Sequence, residues 1–99
     1  MKLEKEFQLQ AMANAQMAMI AHNCPTKRLL QTLEEKGGVQ TVQELCKRGR
    51  ASDGYDELFA KGQGDLTLEA LVIKGKYGAL FTDEEVNYCL DLLMSAGYF

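Results

Sequence analysis

Tryptophan is absent, and proline and histidine occur once each, at Pro25 and His22. With one proline, long stretches are free to be helical, because proline is the residue that most sharply breaks a helix interior. With one histidine and no CxxC pair, the chain has no recognisable zinc-ligand spacing. The three cysteines, Cys24, Cys46 and Cys89, are odd in number and far apart, so reduced, mostly buried thiols are expected rather than a disulfide framework. No metal or cofactor is expected. No apolar run approaches the ~20 residues needed to span a bilayer, so no membrane association is expected. The opening MKLEKEFQLQ lacks the apolar block of a signal peptide, which predicts a cytoplasmic protein.

Catalytic signatures are equally scarce. The G-x-G at 62–64 is followed by no third glycine at the required spacing, and no P-loop lysine follows it. Neither G-x-S-x-G nor H-E-x-x-H occurs. Asp83, Glu84 and Glu85 fall in the first turn of a capped helix, where carboxylates complement the helix dipole. Glu34/Glu35 and Asp56/Glu57 read as solvated helix faces. His22 and Cys24 are close in sequence, but a Cys–His pair is defined by geometry rather than proximity. No catalytic residue is assigned, and the expectation is a non-enzymatic protein.

What the chain does contain is helix grammar. Residues 3–22 are rich in alanine, methionine, glutamine and leucine, with no glycine or proline. At 100° per residue, Leu9, Ala13, Met17 and Ile20 form one stripe flanked by Leu3 and Phe7, the expected inward face. Met12 and Met19 fall outside it. Asn23 and Pro25 stop this helix. A second helix over 26–36 turns Leu29, Leu30 and Leu33 inward and ends at Gly37. Thr41 and Glu44 have the T-x-x-E spacing of a capping box for a third helix, burying Val42, Leu45 and Cys46 and closing at Gly49. Ser52 or Asp53 can cap a fourth helix with Tyr55, Leu58 and Phe59. Asp65 or Thr67 starts a fifth, although LTLEALVIKG also alternates as a strand would. Thr82 and Glu85 cap a last helix, with Phe81 stapled on Val86 and Gly97 ending it; its apolar face is Val86, Cys89, Leu90, Leu93 and Met94. The expected fold is all-α, a single domain over 1–99 forming a compact bundle of five to six helices with a long N-terminal helix.

Charge divides unevenly: residues 1–50 carry eight Lys/Arg against five Asp/Glu, a net of +3, and residues 51–99 carry three against nine, a net of −6. TKRLLQTLEEKGGVQTVQELCKRG, residues 26–49, resembles the first two helices of winged-helix transcription regulators: a leucine-rich helix, a GG turn and a TVxEL helix. That resemblance implies an α+β winged helix with a hairpin in 66–81 as the alternative fold, and DNA binding as the alternative function. Lys27, Arg28, Lys47, Arg48 and Arg50 read first as a solvated basic rim, and under this alternative as phosphate contacts made from another side. The segment at the recognition-helix position, SDGYDELFAKG, sets Asp53, Asp56 and Glu57 against one lysine, a charge that phosphates repel. The DLTLEALV and LFTDEE pieces of residues 52–86 look like a segment of uncharacterised bacterial proteins, which implies a bacterial or phage origin and a helical 66–73.

The expectation that best joins these readings is a small adaptor- or inhibitor-type module that binds another protein, homodimeric through its N-terminal helix. Met12 and Met19 on the first helix, with Tyr88 and Leu92 on a secondary side of the last, are its candidate interface residues. A DNA-binding regulator is the second choice and a small enzyme the third.

Overall fold

A computed structural model describes residues 2–98. It contains six α-helices: α1 Lys2–His22, α2 Lys27–Lys36, α3 Gly38–Arg48, α4 Tyr55–Ala60, α5 Leu68–Val72 and α6 Asp83–Ser95. Two 3-10 segments, Gly64–Leu66 and Gly75–Leu80, complete it, and no strand occurs among the described residues. The fold is all-α with a long N-terminal helix. The hairpin proposed for 66–81 is replaced by α5 and the second 3-10 segment, since Thr67 accepts the Ala70 N–H at 3.2 Å and starts a helix there. No helix among the described residues is long and apolar enough to cross a membrane.

At about 1.5 Å per residue, the 21 residues of α1 span roughly the longest dimension of the molecule, 31 Å. The face of α1 turned inward is Phe7, Ala11, Ala15 and Ala18. This reverses the expected stripe: Leu9, Ala13, Met17 and Ile20 are exposed. The physical reason is proximity. Alanines let the backbones of neighbouring helices come close, whereas a leucine–methionine–isoleucine face would hold them apart. Thr26, itself buried, donates its hydroxyl to the Ala15 carbonyl at 2.6 Å and ties the start of α2 to the middle of α1.

The two glycines between α2 and α3 have different tasks. Gly37 adopts φ 83° and ψ 163°, a conformation that side chains oppose, and its N–H returns to the Leu33 carbonyl. Gly38 lies against the Phe7 ring, where an added Cβ would approach ring carbons to 2.5 Å. Phe7 in turn meets Tyr77 and Phe81 edge-on, each at 5.1 Å between centroids. These rings, with Leu29, Leu33, Val42, Leu68, Leu71 and Val72, form the main core.

The caps divide into those that follow the sequence pattern and those that do not. At α6, Thr82 accepts the Glu85 N–H and Glu85 accepts the Thr82 N–H, a complete capping box. Gly97 ends it, with Tyr98 N–H on the Leu93 carbonyl and Gly97 N–H on that of Met94. Gly49 ends α3 in the same manner. The expected box at Thr41 and Glu44 does not form, because α3 begins three residues earlier. Thr41 donates instead to the Gly37 carbonyl, and Glu44 pairs with Lys36. Neither Ser52 nor Asp53 caps α4; Gly54 precedes it, and Ser52 is used elsewhere.

Candidate functional site

Two features of the surface stand apart from ordinary solvated helix. The first is the outer face of α1. Leu9, Met17 and Ile20 are 59%, 52% and 70% exposed, with exposed Ala13 between them. The other exposed positions from Leu9 to Ala21 are Gln10, Gln16 and Ala21 itself, and residues 7–26 contain no Asp, Glu, Lys or Arg. Exposed positions 9, 13, 16 and 20 have the four–three–four spacing of a coiled-coil seam. Of the candidate interface residues, Met12 is half-buried against the main core and Met19 is half-buried on the flank of this face. Tyr88 and Leu92 are engaged within the chain on α6. Tyr88 donates its hydroxyl to the Arg50 carbonyl at 2.8 Å, and the Leu92 carbonyl accepts from Tyr55 at 2.6 Å.

The second feature is a recess of about 180 Å³ between α2, α3 and residues 50–53. Arg28, Lys36, Arg48 and Arg50 line it, together with Glu44 and Asp53. Three of the five candidate phosphate contacts are thus brought together. Lys27 borders a neighbouring recess that shares Arg28 and Asp53, and Lys47 lines neither. Glu44 bridges Lys36 at 2.8 Å and Arg48 at 3.7 Å, and the hydrogen bond from Lys36 holds its carboxyl below the ordinary range. Among the described residues, no carboxylate lies within ion-pair distance of Arg28 or Arg50.

The wall carrying Arg50 has no regular structure, yet it is fixed from three directions. The Arg50 N–H donates to the Leu45 carbonyl at 3.1 Å, and its own carbonyl accepts from Tyr88. Ser52 donates its N–H and its hydroxyl to the two carboxyl oxygens of Glu69, both at 2.7 Å. Glu69 is 3% exposed, and burial raises its pKa above the ordinary value, against the opposing effect of the two Ser52 bonds. The sequence reading missed Glu69. Its signal is a lone charge in LEALV, where every neighbour is apolar and all five residues are buried.

Burial pushes the Cys46 and Cys89 thiols upward, with Glu69 adding to both. The Cys24 thiol donates to the His22 carbonyl at 3.6 Å, not to its ring. No cluster of three or more His, Cys, Asp or Glu able to hold a metal ion occurs among the described residues. α4, at the position a recognition helix would take, is six residues long and exposes Asp56 and Glu57. No protein-family model, curated protein or solved structure matches this chain.

Proposed function

We propose that this protein is a small non-enzymatic binding module that docks through the outer face of α1, and that its partner there is a second copy of the chain. The observation that carries the proposal is the uncharged apolar stripe Leu9, Ala13, Met17 and Ile20 on a helix whose opposite side is already buried. The seam positions 9, 13, 16 and 20 read the same from either end, so an antiparallel pair about a two-fold axis sets Leu9 against Ile20 and Ala13 against Gln16 of the second copy, with Met17 beside the seam. Two copies of net charge −3 meet there without opposing like charges, because the face carries none.

The size of the effect is modest. Burying roughly 100 Å² from each large side chain on both copies removes roughly 600 Å² of apolar surface, about 15 kcal/mol gross. Association costs about 4–15 kcal/mol, which leaves roughly 0–11 kcal/mol, so a concentration-dependent dimer is expected rather than an obligate one. The DNA-binding alternative has less support, because the short acidic α4 would face phosphate.

Sedimentation equilibrium across a concentration series tests this. The wild type is expected to move from monomer to dimer, and Ile20→Asp to remain monomeric with its helical circular dichroism intact. A wild type that stays monomeric at every concentration, or an Ile20→Asp mass identical to the wild type's, overturns the proposal.

A further inference from the structure

We infer that the recess between α2, α3 and residues 50–53 binds a single phosphate group, either free or carried on a small non-aromatic molecule. Four observations lead there. First, Arg28 and Arg50 line it from two separate elements and have no carboxylate within ion-pair distance among the described residues, so two guanidinium forks remain open. Two forks supply more N–H donors than the two oxygens of a carboxylate accept comfortably, and a phosphate dianion offers further oxygens and a second charge. Second, the hydroxyl protons around the recess are committed elsewhere: Thr32 donates to the Arg28 carbonyl, Thr41 to Gly37 and Ser52 to Glu69. What is left to donate is charge, which selects an anion over a neutral polyol.

Third, the lining limits the body attached to the anion. No aromatic side chain lines the recess to stack a base; its apolar part is Leu29, Leu45 and Ala51. Fourth, the Arg50 wall is held by Leu45, Tyr88 and the buried Glu69. A buried carboxyl whose bonds to another residue both go to Ser52 is an expensive way to hold an irregular loop, and what it holds is the side of the recess that presents Arg50. The four cations against two carboxylates make the recess net positive on a chain whose total is −3, so an anion is drawn to this place rather than to the surface at large.

The test is an amide-resolved NMR titration of the full chain with sodium phosphate, against sodium chloride at equal ionic strength. Saturable shifts confined to the amides around residues 28–32 and 48–53 are expected with phosphate and absent with chloride. Arg28→Gln and Arg50→Gln, both at exposed side chains, should each weaken binding about tenfold. Lys47→Gln, a cation outside the recess, should leave it unchanged. Glycerol 3-phosphate separates the two sources: tighter binding than inorganic phosphate indicates a carried phosphate contacting Leu29, Leu45 and Ala51, and equal binding indicates the free ion. Shifts that fail to saturate by about 20 mM, or that chloride reproduces, overturn the inference. So does binding of duplex DNA that Lys47→Gln weakens as much as Arg50→Gln, because the cations would then form an open nucleic-acid surface.

Discussion

Replacing Glu69 separates two contributions that its position combines, the hydrogen bonds it accepts and the charge it buries. Both of its oxygens accept from Ser52 at 2.7 Å, and the residue is 3% exposed, lining a small gap with Val42, Leu45, Cys46, Leu68, Val72 and Cys89. Glu69→Ala leaves the Ser52 N–H and hydroxyl without an acceptor, at about 1–3 kcal/mol for a buried donor, and opens a cavity besides. A total near 3 kcal/mol is expected. At about 4–8 °C per kcal/mol, that lowers the midpoint of thermal unfolding by more than about 12 °C. Glu69→Gln keeps one acceptor oxygen and removes the charge, so its cost should be under about 1 kcal/mol at acid pH, where the wild-type carboxyl is neutral too.

The sign of the pH dependence follows from the raised folded-state pKa. Ordinary glutamate titrates near 4.3, and burial in the native protein disfavours the ionised form. The contribution of Glu69 to stability is therefore fully present below the unfolded-state value and is lost as pH rises through the folded-state value. Glu69→Gln has no such loss. Urea unfolding of both proteins at several pH values should show the variant gaining on the wild type as pH rises, by at most about 1.4 kcal/mol per pH unit for one proton. Other carboxylates cancel in the difference, including Glu44, whose lowered pKa acts in the opposite sense. A wild-type-minus-variant difference that is flat with pH would refute the assignment of Glu69 as a buried ionisable group. A loss under about 0.5 kcal/mol in Glu69→Ala would refute its role in holding Ser52.

Two further substitutions test the packing of α1. Gly38→Ala should be destabilising by about 1–2 kcal/mol in chemical denaturation even though alanine is the better helix former by about 1 kcal/mol, because its Cβ meets the wholly buried Phe7 ring at 2.5 Å; a stabilised variant would show that the ring can yield. Thr26→Val keeps the shape of the side chain but removes the donor to the Ala15 carbonyl, and a loss of about 1–2 kcal/mol is expected, with an unchanged unfolding midpoint as the contrary result.

The parts of this fold that could be read from sequence are those whose cause is local. The box at Thr82 and Glu85 and the glycine ends at Gly49 and Gly97 require only backbone groups within a few residues, so the pattern carries the whole interaction. Thr41 and Glu44 show the same pattern without the structure, since α3 already begins at Gly38 and leaves Thr41 inside the helix, donating to the Gly37 carbonyl, while Glu44 pairs with Lys36. α5 is ambiguous for a different reason: a five-residue segment buried on all sides has no polar face from which to read a period. Glu69 was hidden for the same reason, as its partner Ser52 lies 17 residues away and nothing nearby announces it. At the recess, the basic residues were legible as a group, but which of them converge depends on how residues 50–53 are held by Tyr88 and Glu69.

The reversal of α1 has the widest consequence. A hydrophobic stripe in a sequence identifies a face that avoids water, and it does not say whether the face is covered by the chain's own core or by another molecule. In α1 both faces are apolar, and they differ in size rather than polarity: alanines and Phe7 inside, Leu9, Met17 and Ile20 outside. Close approach of α2 and α3 requires the small face, since Thr26 must reach the Ala15 backbone and Gly38 must meet Phe7. Nothing in that packing calls for large apolar side chains on the other face, where glutamate or lysine would serve the helix equally well. The charged residues that make up 25% of the chain are nonetheless excluded from residues 7–26. A face that is apolar where folding does not require it, and uncharged where solvation would favour charge, is the feature from which we propose a partner.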